Sequence, residues 1–213
     1  MTKSGSNTLR GSVFGYARPS ELENAWRQFQ STNGTVQTLG SAQSDGGLEA
    51  GGPIVKNRLF FFGAVDSQWN RRTLHAPNGD SFPLNAMGGV DQNRRNVSYA
   101  TKVTFQATSY HRIDASFFGD PSTGAFGPQR VSSLLAVDTA GFSRITYGGH
   151  NQTVRYAGIL SPAWFLEATA SRGSNSAREV PPVDAWQVID MTVSPAVTTG
   201  GLGPTPDDLT REA

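Results

Sequence analysis

The chain has 213 residues, only 16% of them charged, with a formal net charge of +1 and no cysteine. This composition excludes a disulfide scaffold, a thiolate metal site and a nucleic-acid-binding protein, because the last needs a basic excess to neutralise phosphates. The 10% of aromatic residues is too high for a disordered chain. The longest apolar run, residues 59–65, is far shorter than the roughly 20 residues of a membrane-spanning helix.

Alternation of apolar and polar residues predicts an all-β chain of about seven antiparallel strands. In chain order, the predicted strands cover residues 9–17, 47–55, a segment that begins at 59, 96–108, 112–117, 153–160 and 164–172. Ile145 and Tyr147 have the opposite parity from Val154 and Tyr156, which predicts a bulge or a register change between them. Helical periodicity is confined to residues 21–29, where a short loop helix is expected.

Short and long connections alternate strictly between these strands. The short ones are residues 56–57, 109–111 and 161–163, and the long ones are residues 18–45, 70–93, 120–142 and the tail from 175. In an antiparallel meander, alternate connections lie at opposite ends, so all short turns are predicted at one end. This arrangement is typical of a transmembrane β-barrel with short periplasmic turns and long extracellular loops. A soluble or secreted β-sandwich binding module, for instance for carbohydrate, is the alternative.

Aromatic residues recur beside all three short turns. They are Phe60, Phe61, Tyr110, Trp164 and Phe165. Outer-membrane barrels carry girdles of aromatic side chains where their strands cross the membrane interface. We therefore predict that these residues lie at one interface of the membrane, with rings on one side of the sheet in contact with lipid.

Two stretches of the chain resemble a known family. SGSNTLRGSVFGYAR at residues 4–18 and GGPIVKNRLFFFGAVD at residues 51–66 are similar to the junction of plug and barrel in TonB-dependent outer-membrane receptors of the Oar-like group. The second stretch matches along most of its length, at Gly51, Gly52, Pro53, Ile54, Lys56, Leu59, Phe60, Phe61 and Phe62.

The resemblance implies a non-catalytic barrel segment in the cell outer membrane that contributes to energised uptake of an unidentified substrate. It implies the end of the plug or a linker at residues 1–7, partial barrel at 8–176, and an extracellular loop or truncated continuation at 177–213. The family's signal peptide, plug and remaining strands have no counterpart here, so we expect a fragment of a larger reading frame. Contact with TonB is expected through the missing N-terminal region.

Charged residues on the polar strand faces are candidates for the barrel lumen. They are Glu49, Lys102, Asp114, Arg155 and Glu167. A basic side chain that faces lipid at mid-membrane costs roughly 2–4 kcal/mol, so we predict that these residues point inward, toward plug residues or a substrate path. The pairs Arg71–Arg72 and Arg94–Arg95 bracket one long loop, where they either meet lipopolysaccharide phosphates or form a solvated loop base.

No arrangement of residues points to catalysis, a cofactor or a metal. His75, His111 and His150 are scattered without a second ligand at short spacing. The chain contains neither a Gly-x-Ser-x-Gly elbow nor a Gly-x-x-x-x-Gly-Lys phosphate loop. An outer-membrane enzyme barrel remains an alternative, but it would need a nucleophile and a base on adjacent strands, and no such pair stands out.

Overall fold

The computed structural model describes residues 6–22, 29–31, 34–77, 83–130, 133–134, 139–182, 188–190, 192 and 197–199. The helical segments with defined bounds are short 3-10 turns at Ser20–Leu22, Pro83–Met87 and Thr139–Gly141. Most of the loop helix predicted at residues 21–29 lies outside the described residues. Among the described helices, none is long and apolar enough to cross a membrane.

Eleven β-strands account for most of the described chain. They are β1 (Arg10–Arg18), β2 (Phe29–Ser31), β3 (Gly34–Val55), β4 (Leu59–His75), β5 (Gly89–Thr108), β6 (His111–Gly119), β7 (Ser122–Gly127), β8 (Ser143–Ser161), β9 (Trp164–Val180), β10 (Val188–Asp190) and β11 (Val197–Thr199). The first nine form one sheet, and β10 pairs with β11 separately.

Seven positions across the sheet are filled in the order β1, β3, β4, β5, β6 with β7, β8 and β9, and every neighbouring pair is antiparallel. β6 and β7 share one position because both pair with β5 on one side and β8 on the other. The predicted meander is therefore confirmed. The described residues contain one main sheet rather than two stacked ones, so they offer no support for a β-sandwich.

All three predicted short turns lie at one end of the sheet, where β3 meets β4, β5 meets β6, and β8 meets β9. The first turn has Asn57 with φ of 63°, in the left-handed region that asparagine tolerates better than most residues. Its backbone closes with a hydrogen bond from Arg58 N to Val55 O of 3.1 Å. The long connections lie at the opposite end.

The strands are longer than the sequence predicts. β3 has 22 residues and β5 has 20, although a membrane crossing needs only about 9–11. The additional residues, such as 34–46 and 89–95, lie at the long-loop end. They had been assigned to loops because many residues on both faces are small or polar there, which removes the period-two signal.

The predicted irregularity in β8 is wrong. The pairing of β8 with β9 runs without a shift from Arg144 opposite Val180 to Ile159 opposite Phe165. Ile145 and Tyr147 therefore share a face with Thr153 and lie opposite to Val154. Tyr147 is accommodated on the polar side because the Arg94 guanidinium lies over its ring, with 5.9 Å from Arg94 Cζ to the ring centroid.

The buried hydrophobic cluster lies among the long connections, not behind the sheet. It consists of Leu74, Ala76, Leu84, Leu134 and Phe142. These residues join the connection after β4 to the connection after β7. Gln92 of β5 also holds the second connection, since its Nε2 donates to the carbonyl oxygen of Pro128 at 2.7 Å. The two long connections thus pack together at one end of the sheet.

Candidate functional site

The register places all five candidate lumen residues on one face of the sheet. Glu49 lies opposite Ala64, and Ala64 lies opposite Ala100, whose second neighbour along β5 is Lys102. Asp114 lies opposite Arg155. Since residues two apart on a strand share a face, the same counting places Glu167 with them. We call the face with Glu49, Lys102, Asp114, Arg155 and Glu167 the polar face, and the opposite one the apolar face.

The apolar face exposes aliphatic side chains in the half of the sheet near the short turns. Val13 is 84% exposed, Leu48 50% and Val154 51%, and Val65 and Val103 follow the same pattern. No second layer covers them within the described part of the chain. A continuous exposed apolar surface of this kind marks contact with lipid or with another protein.

Two aromatic belts border this apolar surface. The belt beside the short turns contains Phe61, Phe105, Tyr156 and Trp164, and the second contains Trp69, Tyr99 and Phe117. Phe61 and Trp69 are eight residues apart on β4, about 26 Å along the strand at about 3.3 Å per residue. A tilted strand that crosses a membrane needs about 9–11 residues, so the segment from Phe61 to Trp69 has about the length of an outer-membrane strand between its aromatic girdles.

Only the belt beside the short turns was expected from the sequence, and two of the five aromatic residues predicted for it face the other way. Phe60 and Phe165 share the polar face with Lys102 and Glu167. The second belt was missed because Trp69 and Tyr99 lie within long strands rather than beside a turn. The number of residues between each of these aromatic side chains and the short turn on the same strand could have predicted the second belt.

Two of the three histidines accompany tyrosines in these belts. Nδ1 of His111 lies 2.7 Å from the hydroxyl of Tyr156, and Nδ1 of His150 lies 2.6 Å from the hydroxyl of Tyr99. Each pair satisfies the polar tip of a ring at the border of the apolar band. Within the described residues, no group of three or more histidine, aspartate or glutamate side chains is arranged to hold a metal ion.

Asp114 is the centre of a charged network on the polar face. Its Oδ2 lies 2.9 Å from Arg112 Nε, and its Oδ1 lies 3.5 Å from Lys102 Nζ. Thr104 donates its hydroxyl to the same Oδ1 at 2.6 Å. A partly buried carboxylate with donors on three sides is held in one position. Sequence reasoning missed Arg112 and Thr104, although both have the parity of Lys102 and Asp114.

Of the other candidates, Arg155 and Glu167 lie beside this network and Glu49 lies apart from it. Arg155, opposite Asp114, pairs with Glu167 at 2.6 Å from NH2 to Oε2. The structure therefore brings together four of the five predicted residues. Glu49 lies apart on β3, where its Oε1 accepts a hydrogen bond from the Ser12 hydroxyl at 3.2 Å.

The two stretches that carry the family resemblance contact each other. Asn7 Oδ1 accepts a hydrogen bond from Asn57 N at 2.8 Å, and Asn7 Nδ2 donates to Asn57 Oδ1 at 2.6 Å. Asn7 thus holds the turn that follows β3. A Cβ on Gly52 would lie 2.9 Å from Leu9 Cδ1, so glycine at this position lets the first stretch pass close to the second.

A single open sheet with short turns at one end, an apolar band between aromatic belts and a charged opposite face is the arrangement found in the walls of outer-membrane β-barrels. Residues 1–89 match the family model described as an outer membrane beta barrel domain. The chain is also 29% identical to the TonB-dependent transporter Oar of Myxococcus xanthus, over 62% of its own length. The predicted resemblance to Oar-like receptors and the outer-membrane location are both confirmed.

The chain spans 14% of the length of this curated relative. No solved structure matches the chain. In the described residues, β1 and β9 are the two edges of the main sheet.

Proposed function

We propose that the chain is a non-catalytic part of the wall of a TonB-dependent receptor and contributes to energised uptake of a substrate. The observation that supports this proposal is the division of one sheet into an apolar face between aromatic belts and a charged face. The relative from Myxococcus xanthus is a TonB-dependent transporter, and this similarity supplies the link to TonB. In this proposal, TonB acts through a region outside this chain, and the transported ligand is unidentified.

The proposed division of the chain follows the strands. Residues 1–7 end a plug or linker, residues 8–176 form barrel wall, and residues 177–213 form an extracellular loop or a continuation of the barrel. The pairing of Asn7 with the turn at Asn57 supports a firm attachment between the first segment and the wall. The polar face then lines the lumen, with Glu49 and the Asp114 network available to plug residues or to a passing substrate.

Cysteine labelling tests which face meets lipid. Because the chain has no cysteine, single substitutions give unambiguous signals. In outer membranes, Lys102→Cys should react with a water-soluble maleimide, and the adjacent Val103→Cys should react only after detergent extraction. Equal labelling of both in the membrane would contradict the proposed lumen.

Uptake itself is tested in cells that lack the gene and in complemented cells. Mass spectrometry of the medium should show at least one polar compound that only complemented cells deplete, and a protonophore should abolish the depletion. Unchanged depletion with the protonophore, or no difference between strains, would overturn energised uptake.

We also propose lipopolysaccharide as the lipid partner. A depression of about 560 Å³ lies across β3, β4, β5, β7 and β8, and its side chains come from the apolar face just beyond the second aromatic belt. Arg71, Arg95 and Arg144 line it, and Arg95 Cζ lies 5.5 Å from the centroid of the Trp69 ring. Guanidinium groups above an apolar band are suited to phosphates attached to acyl chains.

The lipid contact is tested with the double substitution Arg71→Gln and Arg95→Gln. We expect less lipopolysaccharide phosphate to copurify with the protein after extraction in a mild detergent. Arg72→Gln, which removes a neighbouring charge from the polar face, is the control and should retain the lipid. Loss of equal amounts of lipopolysaccharide phosphate from the double variant and from Arg72→Gln would contradict a site on the apolar face.

A further inference from the structure

The polar face has a basic groove at its long-loop end. The groove has a volume of about 320 Å³ and is lined by side chains of β1, β3, β4 and β5. We define the basic groove by Arg18, Gln43, Asn70, Arg72, Gln92 and Arg94. It lies beyond the Asp114 network, at the end of the sheet where the extracellular loops begin.

Two arginines from adjacent strands line this groove. Arg72 is opposite Gln92, and Arg94 is opposite Asn70, so the two arginines are diagonal neighbours with Cα atoms about 7–8 Å apart. Each is anchored by one terminal nitrogen. Arg72 NH2 donates to the Thr38 hydroxyl at 3.2 Å, and Arg94 NH2 donates to the Gln129 carbonyl at 3.0 Å.

Their remaining donors are not all satisfied. In the described structure, the Nε atoms of Arg72 and Arg94 are buried and have no hydrogen-bond acceptor. A buried donor without an acceptor is costly, and more so when it is charged. An anion bound by these arginines would supply acceptors that the described residues do not.

The described lining of the basic groove contains no carboxylate. Asp45 and Asp66 are on the same face but nearer the short turns. Glu179 accepts a hydrogen bond from the Ser143 hydroxyl and pairs with Arg130. The like charges of Arg72 and Arg94 are therefore not balanced by an acidic residue of the groove itself.

We propose that the basic groove binds an oxyanion, a carboxylate or a phosphate, carried by a small polar ligand. Arginine presents planar pairs of donors that match both groups. The amides of Gln43 and Asn70 offer hydrogen-bonding groups to the uncharged part of the ligand, whereas Gln92 Nε2 already donates to the carbonyl oxygens of Pro128 and Gln129. The volume suits a small ligand, since it is at the lower end of ordinary ligand sites. This inference rests on the proposed function because it places the first contact of the substrate at the lumen mouth.

Equilibrium binding to the protein purified from outer membranes tests the proposal, with citrate and inorganic phosphate as separate probes. We expect saturable binding of at least one probe with a Kd of about 1 mM or tighter. Citrate alone would identify a carboxylate site, and phosphate alone a phosphate site. Saturable binding of neither would overturn the proposal.

Asn70→Asp is the most direct substitution. It places a carboxylate opposite Arg94 without removing any anchor of the wall, so the protein should assemble normally and bind the probe about tenfold more weakly. Asn93→Asp is the matched control, because Asn93 is on the adjacent strand but on the apolar face. An unchanged affinity in Asn70→Asp, or an equal loss in Asn93→Asp, would contradict the site.

The result separates this inference from the proposed function. Binding is measured on purified protein without an energy source, whereas uptake is measured as protonophore-sensitive depletion of the medium. Failure to bind anions while energised uptake persists would overturn only the anion site. Anion binding that depends on Asn70, without any energised uptake, would support the site and remove the transport proposal.

Discussion

At the scale of single residues, Asp114 and Asn7 make the connections that stabilise the wall. Asp114 joins β6 to β5 through Lys102 and Thr104, and it also pairs with Arg112 on its own strand. Asn7 joins the segment before β1 to the turn after β3. Asp114 has three partners and Asn7 makes two hydrogen bonds to Asn57, so the removal of either side chain should be measurable.

Substitution of Asp114 by alanine should lower the free energy of unfolding by about 2 kcal/mol. The substitution leaves the partly buried cations Lys102 and Arg112 without their common carboxylate, and it leaves Thr104 without an acceptor. Urea unfolding of the protein in lipid vesicles measures the change. Glu167→Gln is the control and should cost less, because its pair with Arg155 is much more exposed. The reverse order would show that the Asp114 network does not stabilise the wall.

Substitution of Asn7 by alanine should destabilise the protein by about 1 kcal/mol. Two exposed hydrogen bonds to Asn57 are lost, and water replaces them in part. The midpoint of heat modifiability on gels reports the loss. Asn93→Ala removes an exposed asparagine from the apolar face and should leave the midpoint unchanged. A shift of the same size in both would indicate that Asn7 has no special role.

At the scale of elements, the alternation of faces along each strand decides what a substitution costs. Neighbouring residues such as Ala64 and Val65 lie on opposite faces of the sheet and therefore have different surroundings. Val65 is on the apolar face midway between Phe61 and Trp69, whereas Ala64 is on the polar face directly opposite Glu49. The same strand therefore tolerates charge at one position and excludes it at the next.

Val65→Lys should reduce stability by about 2–4 kcal/mol, because a lysine at the middle of the membrane faces lipid. Ala64→Lys should cost much less, since its ammonium group can approach the Glu49 carboxylate across the strand pair. The two variants are compared by the amount of assembled, heat-modifiable protein that each gives in outer membranes. Better assembly of Val65→Lys than of Ala64→Lys would contradict the assignment of the faces.

At the scale of the whole molecule, the long connections form a folded unit above the membrane band. Leu74, Leu84, Leu134 and Phe142 are buried there, although many large apolar side chains elsewhere in the sheet are exposed. This cluster fixes two connections that are far apart in the sequence. It lies at the same end of the sheet as the basic groove.

Leu134→Ala should loosen the packing of these connections. Leu134 is fully buried, and truncation of a buried leucine to alanine costs about 2–5 kcal/mol. We expect faster cleavage of the connections by protease added to intact cells. Met87→Ala is the control, because Met87 is in the same region but 49% exposed. Equal cleavage rates for Leu134→Ala and the unsubstituted protein would exclude a stabilising role for the cluster.

The sequence by itself determined the strand order near the short turns, the positions of these turns and the face on which each charged candidate lies. These features are local, because parity along a strand and the length of a connection require no knowledge of distant residues. The resemblance at residues 4–18 and 51–66 then identified the class of barrel. That resemblance did not reveal that Asn7 and Asn57 contact each other.

Only the tertiary structure decided how far the strands extend, which residues of the second aromatic belt lie level with one another, and which side chains meet across strands. Beyond the apolar band, polar and small residues occur on both faces of the sheet. Apolar and polar residues therefore no longer alternate along the strand, and the sequence of residues 34–46 predicts a loop. The Asp114 network, the split of each arginine pair between the two faces and the basic groove all depend on register. Register is a relation between strands far apart in the chain, and no single strand contains it.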